Sequence, residues 1–255
     1  MTLERERRGK VEILRLNRPE ARNAINPETS QEIEAALDEI EADHDIWCVI
    51  ITGTGPVFCA GADLKVVASG RGVEIMTERG GFAGFVQREL TKPVIAAING
   101  LALAGGFEIT LACDLVVASE DAMFGLPEVQ RGLLASAGGP IRLSQRVPLA
   151  VALELTVLGE PITAARAHEL GLVNRVVSAD QVLDAALAMA ERIIANSPTA
   201  VRGGRTLVRA AADATDSEAW DLNRRIMREV GSSPDAIEGA TAFVEKRAPN
   251  WAPPT

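Results

Sequence analysis

The sequence predicts an α/β protein in which a mainly parallel sheet is followed by a segment that is only helical. Short continuous apolar runs at residues 49–51 and 93–98 are typical of parallel strands that are buried on both faces. Helical patterns separate these runs, as the crossover connections between parallel strands require. From about residue 180 onward, every pattern is helical. We therefore expect an α/β core at residues 1–195 and a helical C-terminal segment at residues 196–255.

The first half of the chain alternates strand patterns with helix patterns. Residues 11–16 alternate apolar and polar side chains and predict a half-buried strand. Pro27 opens a helix whose apolar positions recur at helical spacing through Ile40. Residues 64–90 show a helical pattern that glycines interrupt, and we expect this stretch to be the most mobile part. After the strand at residues 93–98, a helix is predicted over residues 105–112.

The second half begins with a predicted strand at residues 115–118 and then becomes mostly helical. Helices are expected at residues 138–146, 149–157 and 163–170, and Thr163 is expected to cap the last of them. Residues 173–177 return as a strand. The remaining helices are predicted at residues 180–196, 198–212, 216–230 and 234–246.

Composition and charge limit the classes of function. The 255 residues suffice for one large domain, and 47% hydrophobic residues suffice for a full core. A net charge of −9, from 26 basic and 35 acidic residues, argues against nucleic acid as the main partner. A local basic pocket for one small phosphorylated ligand stays compatible with this charge. No apolar run is long enough to span a membrane and residues 1–10 carry no apolar signal region, so we expect a cytoplasmic protein.

Histidine and cysteine are too sparse in this chain to indicate a metal site. Only His44 and His168 occur, and the three cysteines are far apart in the sequence. We therefore predict reduced, buried thiols and no bound metal. His168 is expected to lie on the surface of its helix.

Two glycine-bearing turns are candidates for an oxyanion hole. The first, at residues 58–63, contains Gly61, and the second, at residues 99–106, ends in Gly105-Gly106. Glycine allows positive φ and close backbone approach, and an N–H at a helix start has no internal partner. We predict that the N–H groups of Ala62 and Gly105 converge on one oxygen atom. The alternative is that these glycines only make tight turns.

Two glutamates lie beside these glycine-rich segments. Glu108 follows Phe107 among apolar residues, so its burial would raise its pKa, as general acid–base catalysis near neutral pH requires. Glu128 lies in another apolar stretch, where an ion pair with Arg131 or Arg142 is the alternative to a catalytic role. Two carboxylates together with two outward N–H groups favour enolate chemistry next to a carbonyl.

One set of motifs runs in order along nearly the whole chain. The motifs are Ala60-Gly61-Ala62-Asp63-Leu64-Lys65, Asn99-Gly100, Gly105-Gly106-Phe107-Glu108, Cys113-Asp114, Phe124-Gly125-Leu126-Pro127-Glu128, Gly138-Gly139, Gly171-Leu172-Val173-Asn174 and Phe243-Val244-Glu245-Lys246-Arg247. Together they resemble the signatures of the enoyl-CoA hydratase/isomerase superfamily, also called the crotonase superfamily. This resemblance implies a spiral of ββα units with a helical C-terminal trimerisation segment. It also implies a homotrimer, or a hexamer made of two trimers.

The resemblance further implies an acyl-CoA thioester as the ligand, with no separate cofactor. The N–H groups of Ala62 and Gly105 would hold the thioester oxygen as it becomes an enolate. By position, Glu108 resembles the base that acts on water in an enoyl-CoA hydratase. Glu128 resembles the acid that delivers a proton to the α-carbon. Asp63 is expected to stabilise its turn rather than to act as a catalyst.

Candidates for CoA binding follow from the same resemblance. The turn at residues 60–63 is expected near the adenine, and Arg22 near the 3′-phosphate and the pantetheine. Phe243 and Lys246 are expected to reach the CoA of a neighbouring subunit, although Lys246 is equally consistent with a solvated helix end. The candidates are Arg22, Ala60, Gly61, Ala62, Asp63, Leu64, Lys65, Gly105, Phe243 and Lys246.

The reaction is better defined by the sequence than the substrate is. Residues 135–136 are Ala-Ser where similar hydratases have Pro-Gly, and residues 129–131 resemble relatives that include carnitinyl-CoA dehydratases. The leading hypothesis is hydration of a trans-2-enoyl-CoA. The alternatives are an enoyl-CoA isomerase, a carnitinyl-CoA-type dehydratase, and a non-catalytic protein that binds acyl-CoA or RNA on the same fold. The predicted lining of the acyl pocket is Val66, Ile75, Met76, Phe82 and Phe85.

Overall fold

A computed structural model describes residues 1–253 of the chain, and its elements largely follow the predicted order. The strands are β1 (Leu3–Arg8), β2 (Val11–Leu16), β3 (Cys48–Gly53), β4 (Val57–Cys59), β5 (Met76–Thr77), β6 (Gly81–Phe82), β7 (Val94–Ile98), β8 (Leu101–Leu103), β9 (Leu115–Ser119), β10 (Met123–Gly125), β11 (Ile162–Thr163) and β12 (Arg175–Val177). The α-helices are α1 (Pro27–Ala42), α2 (Leu64–Ala68), α3 (Gly105–Ala112), α4 (Gly139–Arg146), α5 (Leu149–Val157), α6 (Ala164–Glu169), α7 (Val182–Ile194), α8 (Pro198–Ala211), α9 (Asp216–Gly231) and α10 (Pro234–Glu245).

Six strands form the main sheet, in the order β1-β2-β3-β7-β9-β12. Neighbouring strands run parallel, except that β1 pairs antiparallel with β2. Every residue of β3 and β7 is buried. Helix α7 covers one face of these strands, and the larger hydrophobic cluster covers the other. Burial on both faces is the reason that these strands appear in the sequence as continuous apolar runs.

A second sheet of four short strands has the order β11-β10-β8-β4. Strands β10, β8 and β4 are parallel neighbours, so their carboxyl ends lie at the same edge of the sheet. Each of these three strands is only three residues long. Hydrophobic periodicity cannot identify strands of this length, and the pattern-based assignment missed them. Edge strand β1 was also missed, because its sequence is mostly charged and exposed.

Local capping signals define several helix boundaries as predicted. The side chain of Asn26 accepts a hydrogen bond from the Thr29 N–H at the start of α1, and Pro27 occupies the first helical position. The side chain of Thr163 accepts a hydrogen bond from the Arg166 N–H and caps α6. The predicted helix over residues 105–112 is confirmed as α3.

Residues 64–90 contain much less helix than the sequence pattern predicts. Helix α2 is only five residues long, and a short 3₁₀ helix (Gly72–Ile75) and the β5–β6 hairpin follow it. Gly81 and Gly84 have φ of +64° and +63°, which an α-helix does not allow. A Cβ at Gly84 would lie 2.4 Å from the carbonyl oxygen of Ser30 in α1. The prediction of one interrupted helix is therefore wrong, because these glycines form a loop that packs closely against α1.

The C-terminal helices attach to the core through an ion-pair cluster. Asp114, next to the end of α3, accepts hydrogen bonds from Nε of Arg205 at 2.8 Å and from Nε of Arg209 at 2.7 Å. Helices α8 to α10 also expose large apolar side chains, which are Val208, Trp220, Met227, Ile237, Phe243 and Val244. Among the helices of residues 1–253, none combines the length and the apolar character that crossing a bilayer requires.

Candidate active site

Three parallel strand ends bring the candidate residues into one cleft. Strand β4 leads into the turn that contains Ala62, β8 leads into Gly105 at the start of α3, and β10 leads towards Glu128. Because β4, β8 and β10 are adjacent and parallel, these segments lie side by side at one sheet edge. They line a cleft of about 910 Å³. The strands that pattern analysis missed are therefore the elements that assemble the site.

The two glycine-bearing turns are in direct contact with each other. Gly61 has φ of +94°, and a Cβ at this position would lie 2.7 Å from the Cβ of Ala104 and 3.0 Å from the backbone nitrogen of Gly105. Only glycine fits there without displacing the second turn. The two turns therefore form one structural unit, and Gly61 sets the distance between them.

Two backbone N–H groups beside this contact have no hydrogen-bond acceptor among the described residues. Ile25 forms an isolated parallel bridge with Ala62: the Ile25 N–H donates to the Gly61 carbonyl and the Asp63 N–H donates to the Ile25 carbonyl, both at 2.8 Å, so the N–H of Ala62 itself takes no part in these hydrogen bonds. Gly105 is the first residue of α3, where an N–H has no intrahelical acceptor. Within residues 1–253, neither Ala62 nor Gly105 donates to a backbone carbonyl. Both residues line the cleft.

Ala104 holds an unusual backbone conformation directly before Gly105. Its φ of +52° and ψ of −129° lie in a region that residues with a side chain rarely adopt. Its N–H donates to the Gly125 carbonyl at 2.9 Å, and its carbonyl accepts from the Phe107 and Glu108 N–H groups at 2.9 Å and 3.1 Å. These hydrogen bonds hold the turn that directs the Gly105 N–H.

Glu108 is a buried carboxylate with a defined hydrogen-bond partner. The residue is 3% exposed, and every residue of α3 is buried with it. Oε1 accepts a hydrogen bond from the Gly139 N–H at 2.9 Å. Burial raises the pKa of Glu108, while the hydrogen bonds from the Gly139 and Ala137 backbone act in the opposite direction. The group is therefore desolvated but retains donors that stabilise its ionised form.

Glu128 has a different environment in the same cleft. It lies in a 3₁₀ helix (Pro127–Arg131), and its buried Oε2 has no hydrogen-bond partner among the described residues. Burial is the main cause that raises its pKa to about 7, and the charge of Glu108 adds to the increase. The Arg131 and Arg142 guanidinium groups donate to the Pro127 and Ala137 carbonyls instead. The alternative of an ion pair with either arginine is not supported.

Most of the predicted binding residues line this cleft. The lining includes Arg22, Ala60, Ala62, Asp63, Leu64, Lys65 and Gly105. Gly61 lies behind the lining and determines the approach of the two turns. Phe243 and Lys246 lie elsewhere, because Phe243 is 85% exposed on α10 and Lys246 follows the end of that helix. Within one subunit, these two residues do not contribute to the cleft.

Asp63 has a charged partner in the cleft, Arg18, that the sequence patterns did not indicate. Arg18 lines the cleft, and its Nη2 lies 3.0 Å from Oδ2 of Asp63. Oδ1 of Asp63 accepts from the Lys65 N–H at 3.1 Å and caps α2. Asp63 therefore stabilises its turn, as predicted. Arg18 carried no local signal, because its partner is distant in the sequence.

The apolar end of the cleft differs in part from the predicted lining. Ile75, Met76 and Phe82 line the cleft as expected. Val66 and Phe85 instead pack with the hydrophobic core. Three residues that were not predicted, Val67, Leu133 and Leu134, complete an apolar wall with Ile75, Met76 and Phe82.

This fold and this site define a class of protein. Parallel strands that end beside two N–H groups without an acceptor, with two desolvated carboxylates nearby, match the arrangement that the resemblance to the crotonase superfamily implied. The chain belongs to the enoyl-CoA hydratase/isomerase family, whose family model matches residues 6–254. The crotonase-like α/β fold is confirmed by a solved structure, that of enoyl-CoA hydratase from Mycobacterium tuberculosis. Its TM-score is 0.95 at 43% identity, and the alignment covers 99% of each chain.

Two curated relatives have different names but similar identity to this chain. Carnitinyl-CoA dehydratase of Proteus mirabilis is 41% identical over 250 residues, which cover 96% of this chain and 95% of that protein. Enoyl-CoA hydratase EchA19 of Mycobacterium tuberculosis is 40% identical over 252 residues, which cover 96% of this chain and 94% of that protein. Similarity therefore establishes the family, and the reaction has to be argued from the site.

Proposed function

We propose that the chain is an enoyl-CoA hydratase, which adds water reversibly across the C2–C3 double bond of a trans-2-enoyl-CoA. The observation that carries this proposal is the pair of carboxylates in unlike environments on one cleft. Glu108 is buried beside backbone donors, whereas Glu128 has an unpaired oxygen and a pKa of about 7. Two titrating groups with different environments suit the separate roles of base and acid.

The proposed reaction assigns one step to each group. The thioester oxygen accepts hydrogen bonds from the Ala62 and Gly105 N–H groups, which stabilise the enolate. Glu108 takes a proton from water, and the hydroxide adds to C3. Glu128 gives its proton to C2, which neutralises the enolate. The proton on Glu108 then returns to Glu128 through solvent, so the net change is one water added and no separate cofactor is used.

The proposal includes how CoA is held. Arg22 and Lys65 line the cleft beside the turn at residues 60–63, and we place the nucleotide half of CoA there because its phosphates need cations. The uncharged acyl tail would lie against the apolar wall. The remaining candidates, Phe243 and Lys246, would contact a CoA bound to a neighbouring subunit.

Assembly of the helical segment at residues 196–255 is also part of the proposal. Helices α8 to α10 leave large apolar side chains in contact with solvent, and such surfaces mark protein–protein interfaces. We propose that this segment forms a homotrimer, which could pair as a hexamer. Burial of Phe243 in a neighbouring subunit would explain its 85% exposure in a single chain.

The test is loss of the ultraviolet absorbance of crotonyl-CoA with wild-type protein and with Glu128→Gln. Positioned acid–base groups contribute about 10²–10⁴-fold each, so kcat should fall by that factor in the variant. Glu154→Gln is the matched control, because Glu154 is exposed on α5, and its kcat should stay within about twofold of wild type. Full hydratase activity in Glu128→Gln would reject the proposal.

Two alternatives, an isomerase and a non-catalytic binding protein, can be distinguished from the hydratase by measurement. An isomerase moves a proton between C4 and C2 with one carboxylate, so turnover of a 3-enoyl-CoA by Glu108→Gln would favour that activity. A protein that lacks turnover on every acyl-CoA but binds CoA or RNA tightly would be a non-catalytic member. Undetectable turnover together with RNA binding would therefore replace the proposal altogether.

A further inference from the structure

A second, smaller pocket lies where helix α8 meets the core. Its volume is about 190 Å³, and four arginines line it, which are Arg88, Arg142, Arg205 and Arg209. None of the four lines the cleft that contains Glu108 and Glu128. The pocket is therefore a separate feature of the molecule, in a chain whose net charge is −9.

Acidic partners around this pocket are too few to neutralise it. Asp114 pairs with both Arg205 and Arg209: one carboxylate oxygen accepts a hydrogen bond from Arg205 and the other accepts one from Arg209. Glu89 also lines the pocket, but the residue is exposed, so solvent screens its charge. Two arginines thus share one carboxylate, which leaves a positive charge without a counter-ion on the α8 side.

On the other side of the pocket, two arginines again share one carboxylate. The Arg88 side chain is 11% exposed and forms an ion pair with Asp38, which also pairs with Arg79. Nε and Nη1 of Arg88 are buried and have no hydrogen-bond partner in the described part of the chain. Unpaired buried donors of a charged group are costly. An additional acceptor at Arg88 would remove this cost.

Arg142 lies at the pocket without any carboxylate partner. Its guanidinium donates to the carbonyl oxygens of Ala137, at 3.1 Å, and of Val86. Burial lowers the pKa of Arg142, and the charges of Arg146 and Arg209 lower it further. The arginines therefore repel one another in a partly desolvated space, which is the setting that an anion stabilises.

We propose that this pocket binds a small tetrahedral oxyanion of the phosphate or sulfate type. A volume of about 190 Å³ corresponds to about six water molecules in the liquid, so a five-atom oxyanion fits with water to spare. Guanidinium groups match such oxygens with paired N–H donors. Four of them converge here from the loop before β7, from α4 and from α8.

An anion in this pocket would connect helix α8 to the turn that positions Glu108. Arg205 and Arg209 belong to α8, whereas Arg142 holds the carbonyl of Ala137. Two residues further along, Gly139 donates its N–H to Oε1 of Glu108. An anion bound to these arginines would thus fix α8 against the core and support the turn that positions Glu108.

The experiment measures binding of inorganic phosphate by isothermal titration calorimetry at constant ionic strength, with sodium chloride as the balancing salt. Saturating CoA is present throughout, so that the phosphate sites of the catalytic cleft are occupied. Saturable binding of one phosphate per subunit is expected. Arg88→Gln should raise the dissociation constant at least about tenfold, as loss of a charge-assisted contact does. Absence of saturable binding to the wild type would overturn the proposal.

A matched control separates the pocket from the neighbouring ion pairs. Arg79→Gln also removes a partner of Asp38 but leaves the pocket lining intact, and its dissociation constant should stay within about twofold of wild type. Equal weakening in both variants would contradict the proposal. A crystal of the wild-type protein grown with selenate gives a readout that needs no variant. An anomalous peak among the four arginines is expected, and a peak only in the CoA cleft would overturn the assignment.

Discussion

Gly139 donates its backbone N–H to Oε1 of Glu108 over 2.9 Å, and this contact distinguishes the two carboxylates of the cleft. A Cβ on Gly139 would lie 3.0 Å from Cγ of Glu108, so the glycine also permits the close approach. Glu128 has no such donor at its buried Oε2. Burial raises the pKa of both carboxyls, but backbone donors at Glu108 favour its ionised form, and Oε2 of Glu128 has no donor that would do so.

The burial of the Glu128 carboxyl predicts that its amide variant is more stable than wild type at high pH. Burial raises the pKa of Glu128 from 4.5 to about 7, so the folded protein holds this proton more tightly than the unfolded chain does. The favourable contribution to the free energy of unfolding is complete below pH 4.5 and is lost as pH rises through about 7. Glu128→Gln has no charge to bury and avoids this loss.

Urea unfolding at pH 5 and pH 8 measures this effect. We expect the free energy of unfolding of Glu128→Gln to exceed that of wild type by about 1–2 kcal/mol at pH 8 and by less at pH 5. The value at pH 8 is discounted because solvent partly reaches the group. Glu154→Gln, an exposed carboxylate on α5, should show no pH-dependent gain. An equal gain for Glu128→Gln at both pH values would mean that the carboxyl is not desolvated.

Contact between the two turns predicts that Gly61→Ala damages catalysis more than it damages folding. The new Cβ would meet Ala104 and the Gly105 nitrogen and would displace both N–H donors. Loss of an oxyanion-hole donor costs about 10²–10³-fold in kcat. The measurement is kcat with crotonyl-CoA, alongside thermal unfolding.

Gly171→Ala is the control for the backbone strain in that experiment. Gly171 also has positive φ, +76°, but a Cβ there meets no atom within 4 Å. Gly171→Ala should lose about 1–2 kcal/mol of stability, because it places a side chain at positive φ, and Gly61→Ala should lose more, because its Cβ also meets the second turn. Only Gly61→Ala should lose kcat. A similar kcat loss in Gly171→Ala would assign the effect to general destabilisation.

Sequence patterns identified the residues that line the cleft better than the sheet that brings them together. The apolar run of β7 and the capped start of α6 are local signals, and both were predicted correctly. Strands β4, β8 and β10 have three residues each and derive their stability from pairing with one another. No periodicity develops over such a length, so their alignment at one edge had to come from the structure or from the family resemblance.

Contacts between residues that are distant in the sequence could not be predicted from sequence patterns either. The hydrogen bond from Gly139 to Glu108 spans 31 residues, and the Arg18–Asp63 pair spans 45 residues. Neither leaves a local pattern. The interrupted-helix prediction for residues 64–90 failed for the same reason, since Gly84 is shaped by its contact with α1 rather than by its own neighbours.

The position of Arg22 predicts a selective effect on CoA substrates. Arg22 is exposed on the cleft and its carbonyl accepts from the Ala60 N–H at 3.1 Å, so its side chain can reach a phosphate beside that turn. Arg22→Gln should raise KM for crotonyl-CoA about three- to tenfold, as an exposed charge pair allows, and leave kcat unchanged. The comparison uses the N-acetylcysteamine thioester, which lacks the nucleotide. An equal rise in KM for both thioesters would show that Arg22 does not contact the nucleotide half.

The apolar wall of the cleft predicts discrimination against a cationic acyl tail. Quaternary ammonium groups are bound by aromatic cages, and Phe82 is the single aromatic residue in the described lining. Arg131 also lines the cleft and would repel such a tail. We expect kcat/KM for crotonyl-CoA to exceed that for crotonobetainyl-CoA by about 10²-fold or more, since burying an unpaired charge costs several kcal/mol. A preference for crotonobetainyl-CoA would instead support a carnitinyl-CoA-type dehydratase.

Exposed apolar side chains on α10 predict that the oligomer depends on Phe243. Phe243 is 85% exposed in the single chain, and Val244 beside it is 79% exposed. Placing a charge in an interface that excludes water costs several kcal/mol, so Phe243→Asp should dissociate the assembly. Sedimentation velocity is expected to show a trimer or hexamer for wild type and mainly monomer for the variant. Val73→Asp is the control, because Val73 is 77% exposed outside the helical segment, and it should leave the mass unchanged. A wild-type protein that sediments as a monomer would remove the proposed role of residues 196–255.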